Sequence, residues 1–214
     1  MKLNLSADEV LTTTRSVRKR LDFDRPVERS VIEECIDIAI QAPTGSNVQG
    51  WQWVVIEDPE LKKAVCDYYG RNFDDYANQP GRQFSAGDVR AERSDKVRDS
   101  ATYLREHFHR SPFLVIPCFA GRMGEGISSA AQAGAWGSIA PAVWSFMLAL
   151  RERGLGSAWT TLHLPNEKEV AELIGIPFDR YTQAGLFPVA YTKGTDFKRA
   201  SRIPAAELIH WDRW

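Results

Sequence analysis

The apolar positions of the chain change several times between a helical and a strand-like spacing. Val31, Cys35 and Ala39 stand four residues apart, which places them in one row on a helix face. The same spacing, together with capping and stop residues, predicts helices at 7–15, 28–42, 59–70, 134–153 and 166–175. Short apolar runs rich in β-branched and aromatic residues predict strands at 51–58, 111–119, 157–162 and 185–191.

The predicted strands are apolar on both sides. The run SPFLVIPCF at 111–119 shows this most clearly. Strands of this kind are buried on both faces, so the pattern predicts a sheet covered by helices on each side. No repeat or linker divides the chain, and we expect one domain over residues 1–214 with a C-terminal extension at about 192–214.

The most polar part of the chain lies at about 71–110, where eight basic and seven acidic residues are mixed. This composition is typical of a solvated helical excursion. A second interpretation is a mobile lid over a site, because connecting segments of this length often have a function.

An uncharged stretch of 25 residues runs from Gly126 to Leu150 and is long enough to cross a bilayer. It contains several glycines and serines as well as Gln132 and Pro141. These residues favour a core helix or a subunit interface over a membrane span.

Charge and composition narrow the classes of function. Lys and Arg number 27 against 28 Asp and Glu, so no general basic excess favours binding to nucleic acid. The three cysteines are scattered and odd in number, no CxxC pair is present, and the first residues lack the apolar run of a secretory signal. We therefore expect a cytoplasmic protein with no disulfide framework, no metal site, no nucleic-acid partner and no membrane segment.

Arginines are clustered near both ends of the chain, in RSVR at 15–18 and KRASR at 198–202. Guanidinium groups from opposite ends could together clamp a phosphate, although such clusters are also typical of a solvated surface. The chain contains no GxSxG, P-loop or GxGxxG motif that would indicate another chemistry.

A polar loop, PTGSNVQGW at 43–51, separates a predicted helix from a predicted strand. Its side chains at Thr44, Ser46, Asn47 and Gln49 offer hydrogen-bond donors and acceptors without charge. Such groups suit the edge of a flat heterocycle. The alternative is an elaborate helix stop.

Four segments in the same order resemble the flavin-dependent nitroreductase family and together span nearly the whole chain apart from the polar excursion. They are RSVRKRLDFDRPV, similar to the family's R-S-x-R start; APTGSNVQGWQW, similar to A-P-(S/T)-x-x-N-x-Q-P-W-x-F; GSIAPAVWSFMLALRERGLGSAWTT; and GLFPVAY with the SRIPAAELI tail. Two positions depart from the pattern. Thr14 stands where many relatives have a first arginine, and Gly50 replaces the proline of Q-P-W.

The resemblance implies an α+β fold in which helices wrap a mixed, mainly antiparallel central sheet. It also implies an intertwined homodimer with flavin sites at the subunit interface, so the expected partner is a second copy of the chain. Small residues such as Gly134 and Gly137 in the uncharged helix, with Trp144 supplying area, would suit this interface.

The resemblance further implies FMN as cofactor and assigns residues to it, with no side chain acting as nucleophile or general base. The FMN phosphate and ribityl chain would contact Arg15, Ser16 and Arg18, and Arg202, with Arg199 as a weaker choice, would close the phosphate site. The flavin ring would be lined by Thr44, Gly45, Ser46, Asn47 and Gln49 and by Thr160, Thr161 and Leu162.

The implied activity is that of an oxidoreductase. NADH or NADPH would reduce the flavin, and a nitroaromatic, a quinone or a similar electron-poor small molecule would then reoxidise it in a ping-pong reaction. Two alternatives stay open. One is other flavin chemistry on the same scaffold, such as reductive dehalogenation, enone reduction or flavin breakdown. The other is a protein that binds or sequesters FMN without turnover.

Overall fold

The computed structural model describes residues 2–81, 83–85 and 87–214. Its sheet contains β1 (Leu21–Asp22), β2 (Trp51–Ile56), β3 (Phe113–Ala120), β4 (Leu155–Gly156), β5 (Tyr181–Gln183) and β6 (Phe187–Thr192). The strand order is β1-β6-β3-β2, with β4 paired to β6 and β5 paired to β3, and all five ladders are antiparallel. An isolated parallel bridge joins Ser16 to Ser157. The expected α+β class with a mainly antiparallel sheet is confirmed.

The helices are α1 (Ala7–Thr13), α2 (Arg29–Ala39), α3 (Pro59–Ala77), α4 (Ser94–His107), α5 (Ser129–Glu152) and α6 (Glu167–Ile174). Local sequence signals set several of their ends. Ser6 and Glu9 form the capping box of α1, in which each side chain bonds to the other residue's backbone N–H. Gly175 ends α6 at φ 76°, a left-handed conformation that glycine adopts at little cost.

Strand β3 divides the hydrophobic core into two halves. Successive side chains of a strand point to opposite faces. Phe113, Val115 and Phe119 therefore pack with α2 and α5, whereas Leu114, Ile116 and Cys118 pack with α3 and α4. All six are at most 4 % exposed, which confirms that this strand is buried on both faces.

The polar excursion is helical at both ends, because α3 continues into it and α4 closes it. Phe108, just after α4, is fully buried and its ring meets that of Tyr69 edge-on at 4.8 Å. Arg105 of α4 also pairs with Asp74 of α3. The excursion is thus fixed to the body by apolar contacts, while a role as a lid stays a prediction.

One predicted strand was wrong in its position. The strand expected at 157–162 is observed as the short β4, followed by isolated bridges at Ser157 and Thr160. The chain leaves the ladder between these two residues, where the Trp159 indole donates to the Ala184 carbonyl oxygen at 2.9 Å. Strand β5 was not predicted, because its three residues carry no apolar run.

Helix α5 has one buried side and one open side. Ile139, Val143 and Phe146 are fully buried in the core. On the open side Trp144 is 38 % exposed, and the position where Gly137 would carry a side chain has no atom within 4 Å. By length and composition alone the helix could also cross a membrane, and its buried side packs in the core with α2 and β3.

Candidate functional site

The loop at 44–49 has a strained backbone. Ser46, Asn47 and Gln49 have φ angles of 50°, 55° and 52°, in the left-handed region that residues other than glycine enter at a cost. Three such residues within four positions are unusual, and strain of this kind is concentrated at ligand-binding sites. This backbone conformation is compatible with the predicted binding role, and that role stays a prediction beside the alternative of a helix stop.

Hydrogen bonds hold the loop in this shape. The Gln49 backbone N–H donates to Thr44 Oγ1 at 3.2 Å, and the Gln49 amide donates to Asn47 Oδ1 at 2.9 Å. The Gly45 N–H donates to Ser138 Oγ of α5 at 3.1 Å. Ser46, Asn47 and Gln49 are exposed, so polar groups of the loop stay available to a ligand.

A cavity of about 220 Å³ lies beside the loop, between it, the end of β3 and the first half of α5. Its wall is mostly small or apolar, which suits a flat ring better than a charged group. The lining residues are Thr44, Gly45, Val48, Gly50, Trp51, Phe119, Ala120, Gly134, Ala135 and Ser138.

The Arg15 side chain is the centre of a positive cluster. Its Nε and Nη2 atoms are buried and have no hydrogen-bond partner among the described residues. Burial lowers the pKa of Arg15, and the neighbouring charges of Arg93 and Arg202 lower it further. The charges of Arg15 and Arg202, from the two ends of the chain, are thus near enough to interact. The excursion adds the charge of Arg93, which the sequence did not indicate, and the shared role of Arg15 and Arg202 toward a phosphate stays a prediction.

The other expected phosphate residues differ in their surroundings. Ser16 is exposed next to Arg15 and bridges Ser157 through the backbone. Arg18 points toward the excursion, where it donates to Ser100 Oγ at 3.3 Å, and burial lowers its pKa. Arg199 is exposed, and no side-chain hydrogen bond or ion pair joins it to any described residue.

The three residues after β4 that are expected to line the flavin ring, Thr160, Thr161 and Leu162, differ in their exposure and hydrogen bonding. Thr160 is buried, and both its N–H and its hydroxyl donate to the Leu186 carbonyl oxygen, so its hydroxyl is already used. Thr161 is exposed. The Leu162 carbonyl oxygen accepts a hydrogen bond from Asn72 of α3 at 2.7 Å. Of the three, Thr161 has its side chain most accessible to a ligand.

Arg151, near the end of α5, was not predicted as a site residue. It lines a second, small cavity together with Arg15, Thr13, Ser157 and Phe197. The only signal for Arg151 in the sequence is its place in the last turn of a helix. Because basic residues are common at helix C-termini, this signal does not distinguish a site residue.

The three cysteines and His163 are buried in the described part of the chain and are not activated as nucleophiles. Cys35, Cys66 and Cys118 are free and buried, and burial raises the pKa of each thiol to about 12. His163 is fully buried, and burial lowers its pKa to about 4. Among the described residues, no group of three or more His, Cys, Asp or Glu is arranged to hold a metal ion.

Comparison with known proteins identifies the same family as the sequence motifs. The family model described as "Nitroreductase family" matches residues 11–191. An iodotyrosine deiodinase of Thermotoga neapolitana is 27 % identical over 184 residues, covering 85 % of this chain and 86 % of the relative.

Two solved structures share the fold. A mutant of the FMN- and NADPH-dependent nitroreductase NfnB, derived from sphigopyxis sp. strain HMH, has a TM-score of 0.72 at 24 % identity, covering 98 % of this chain and 100 % of that one. Oxidized iodotyrosine deiodinase bound to FMN and 3-iodo-L-tyrosine has a TM-score of 0.71 at 21 % identity, covering 95 % and 98 %.

Proposed function

Because the chain belongs to the nitroreductase family, we propose that it is an FMN-dependent oxidoreductase that uses NADH or NADPH to reduce electron-poor small molecules. The observation that carries this proposal is the pair of arginines contributed by the two ends of the chain. The two solved relatives, an FMN- and NADPH-dependent nitroreductase and an iodotyrosine deiodinase bound to FMN, agree with the cofactor expected from the sequence.

The donors around Arg15 fit a phosphate monoester. Its two unpaired buried nitrogens can donate to phosphate oxygens, and Arg202 and the Ser16 hydroxyl supply further donors. The repulsion among Arg15, Arg93 and Arg202 would be relieved by a dianion held between them. We therefore assign the FMN phosphate to Arg15, Ser16 and Arg202, with Arg18 nearer the excursion and Arg199 as the weaker candidate.

The loop at 44–49 would hold the flavin ring. Its neutral side chains and backbone amides offer both donors and acceptors, which the edge of the ring requires, and its internal hydrogen bonds fix it in advance. When bound, FMN would supply the ability to take up a hydride and pass electrons to an acceptor. The task of this chain would be to bind, orient and shield the reactants, which agrees with the buried, unactivated cysteines.

A second copy of the chain would complete the site. The cavity beside the loop and the small cavity beside Arg15 have no lining residue in common. One chain therefore offers a ring surface and a phosphate surface with different walls, and we propose that a homodimer places the ring surface of one copy beside the phosphate surface of the other. The open side of α5 and the exposed side chains of Leu208, Ile209, Trp211 and Trp214 provide apolar area for such an interface.

Reductive dehalogenation is the second candidate reaction. It is favoured by the similarity to the iodotyrosine deiodinase of Thermotoga neapolitana and to the iodotyrosine deiodinase bound to 3-iodo-L-tyrosine. We retain as further proposals the single-domain organisation, a lid function for 71–110, a cytoplasmic location, and the absence of nucleic-acid and membrane partners.

The test begins with the colour of the purified protein. We expect yellow protein whose flavin absorbance is bleached by NADH or NADPH without oxygen. Reoxidation by a nitroaromatic or quinone supports the main proposal, and iodide release from a halogenated phenol supports the second. Bound flavin that neither nucleotide reduces would favour sequestration, and protein that binds no FMN would contradict all three.

A further inference from the structure

Arg151 is a buried cation whose hydrogen bonding is incomplete. The residue is 6 % exposed. Its Nε donates to Thr13 Oγ1 at 3.1 Å and its Nη2 donates to the Thr195 carbonyl oxygen at 3.0 Å, which fixes the plane of the guanidinium group. Its Nη1 is buried and has no partner among the described residues. A buried donor on a charged group that lacks a hydrogen-bond partner costs free energy. An acceptor atom of a ligand beside Nη1 would remove this cost.

The small cavity beside Arg151 is also lined by Arg15, which adds two unpaired buried nitrogens. Among the residues that the structure describes, no carboxylate lines this cavity. The adjacent acid, Glu152, accepts hydrogen bonds from the Asn4 and Leu5 backbone N–H groups instead. The side chains of Arg15 and Arg151 therefore line one space together, and three of their nitrogens are buried without a partner among the described residues. Burial lowers the pKa of Arg151 more than the charge of Glu152 raises it, and the charges of Arg20 and Arg15 lower it further.

The size of the cavity limits what can enter it. Its volume is about 10 Å³, which is room for a single water-sized group. A whole phosphate does not fit in this volume, whereas a single phosphate oxygen does. We propose that Arg151 is a second buried cation of the phosphate site, with its Nη1 donating to one oxygen of the FMN phosphate.

This inference rests on the proposed function and adds a binding residue to it. It also connects the phosphate with the C-terminal extension. Arg151 holds the Thr195 carbonyl oxygen, and its guanidinium carbon lies 5.0 Å from the centre of the Phe197 ring. The same side chain would thus bind the phosphate and fix the segment that leads to Arg202.

The test compares FMN with riboflavin, which has the same ring and no phosphate. The full chain is titrated with each flavin by fluorescence quenching. In Arg151→Met we expect FMN affinity to fall by about 10- to 100-fold, as for one lost charge-assisted contact, while riboflavin affinity stays nearly constant.

Arg20→Met is the matched control. Arg20 lies over the same Phe197 ring at 4.2 Å and donates to the Lys193 carbonyl oxygen, but Asp196 neutralises it and it does not line the cavity. We expect this variant to keep the wild-type ratio of FMN to riboflavin affinity. An unchanged ratio in Arg151→Met, or an equal fall in both variants, would overturn the proposal.

A crystal structure of the wild-type FMN complex tests the same contact without a variant, should Arg151→Met not fold. A phosphate oxygen within about 3.2 Å of Arg151 Nη1 supports the proposal. A water in the cavity, with every phosphate oxygen out of hydrogen-bond reach of Nη1, overturns it. Wild-type protein that binds neither flavin would instead refute the proposed function itself.

Discussion

Asn72 of α3 donates a hydrogen bond to the Leu162 carbonyl oxygen at 2.7 Å and a second one to Asn166 Oδ1 at 3.0 Å. These two bonds tie the start of the polar excursion to the segment that follows β4, on which the exposed Thr161 lies. The position of Thr161 therefore depends on a residue 89 positions earlier, outside every motif of the family.

Replacing Asn72 by aspartate keeps the size of the side chain but removes the donor. The new carboxylate would face two acceptor oxygens, so we expect the free energy of unfolding to fall by about 1–3 kcal/mol. Urea unfolding measures this loss. Asn72→Ser, which retains a short donor, serves as the control and should lose less. Equal stability of Asn72→Asp and the wild type would show that the two bonds are not formed in solution.

Arg15 and Arg202 should contribute to FMN binding more than Arg199. Arg15→Ala and Arg202→Ala each remove a guanidinium group from the positive cluster, and we expect each to weaken FMN binding by about 1–3 kcal/mol. Arg199→Ala removes an exposed side chain with no partner among the described residues and should change binding by less than about 0.5 kcal/mol. Equilibrium titration with FMN gives all three values, and the reverse ranking would mean that the phosphate is misplaced.

The left-handed backbone conformation of Ser46 predicts which substitutions at this position lower stability. A β-branched residue is strongly disfavoured at φ 50°, so Ser46→Val should lower the free energy of unfolding by about 1–2 kcal/mol and weaken flavin retention. Ser46→Gly adopts this conformation without steric cost and should be nearly as stable as the wild type. Thermal unfolding of the pair is the measurement. If valine were tolerated as well as glycine, the loop would not keep this conformation.

The burial of His163 predicts a loss of stability in mild acid. Its pKa in the folded chain is about 4, below the ordinary value of 6.5, so the unfolded chain takes up the proton first. The contribution of His163 is complete above pH 6.5 and is lost as the pH falls from about 6.5 to about 4. The loss amounts to as much as about 3 kcal/mol.

Urea unfolding at pH 7 and pH 5 measures this effect. His163→Leu cannot titrate, and its stability should change less between the two values. Glu34, whose pKa is lowered to about 2 chiefly by its hydrogen bond with Arg153, affects stability only below its ordinary value of 4.5. An equal drop for the wild type and His163→Leu would exclude His163 as the cause.

The open side of α5 predicts how the subunits meet. Gly137→Trp should leave the folded subunit intact, because no atom lies within 4 Å of the added Cβ. The same side chain would keep a second copy from packing closely. We expect the wild type to sediment as a dimer and the variant to sediment as a monomer that retains little FMN. A dimeric variant with full FMN content would place the interface elsewhere.

The sequence was sufficient to predict those helix ends and strands that are determined by residues close together in the chain. The capping box of Ser6 and Glu9, the glycine stop at Gly175 and the doubly buried β3 are all set by residues close together in the chain. The family motifs also singled out the loop at 44–49 and the arginines near both chain ends, because the family pattern relates these distant segments; their roles toward FMN stay predictions.

Residues whose role depends on tertiary position were not predictable. Asn72 and Arg93 stand in the polar excursion, and Arg151 stands at the end of the apolar helix α5. Only the folded chain shows which of their polar groups are buried or close to a neighbour. The displaced strand at 157–162 has a similar origin. Its composition is strand-like, but the Trp159 side chain bonds to Ala184 and the backbone leaves the ladder.

The alternating packing of β3 has a consequence for how this protein can change over evolutionary time. Replacing one apolar side chain of the strand by another changes the packing in only one half of the core. Inserting or deleting one residue would instead move every later side chain of the strand to the opposite face and alter both halves of the core at once. Among descendants of this chain, β3 should therefore vary in the identity of its residues and remain constant in their number.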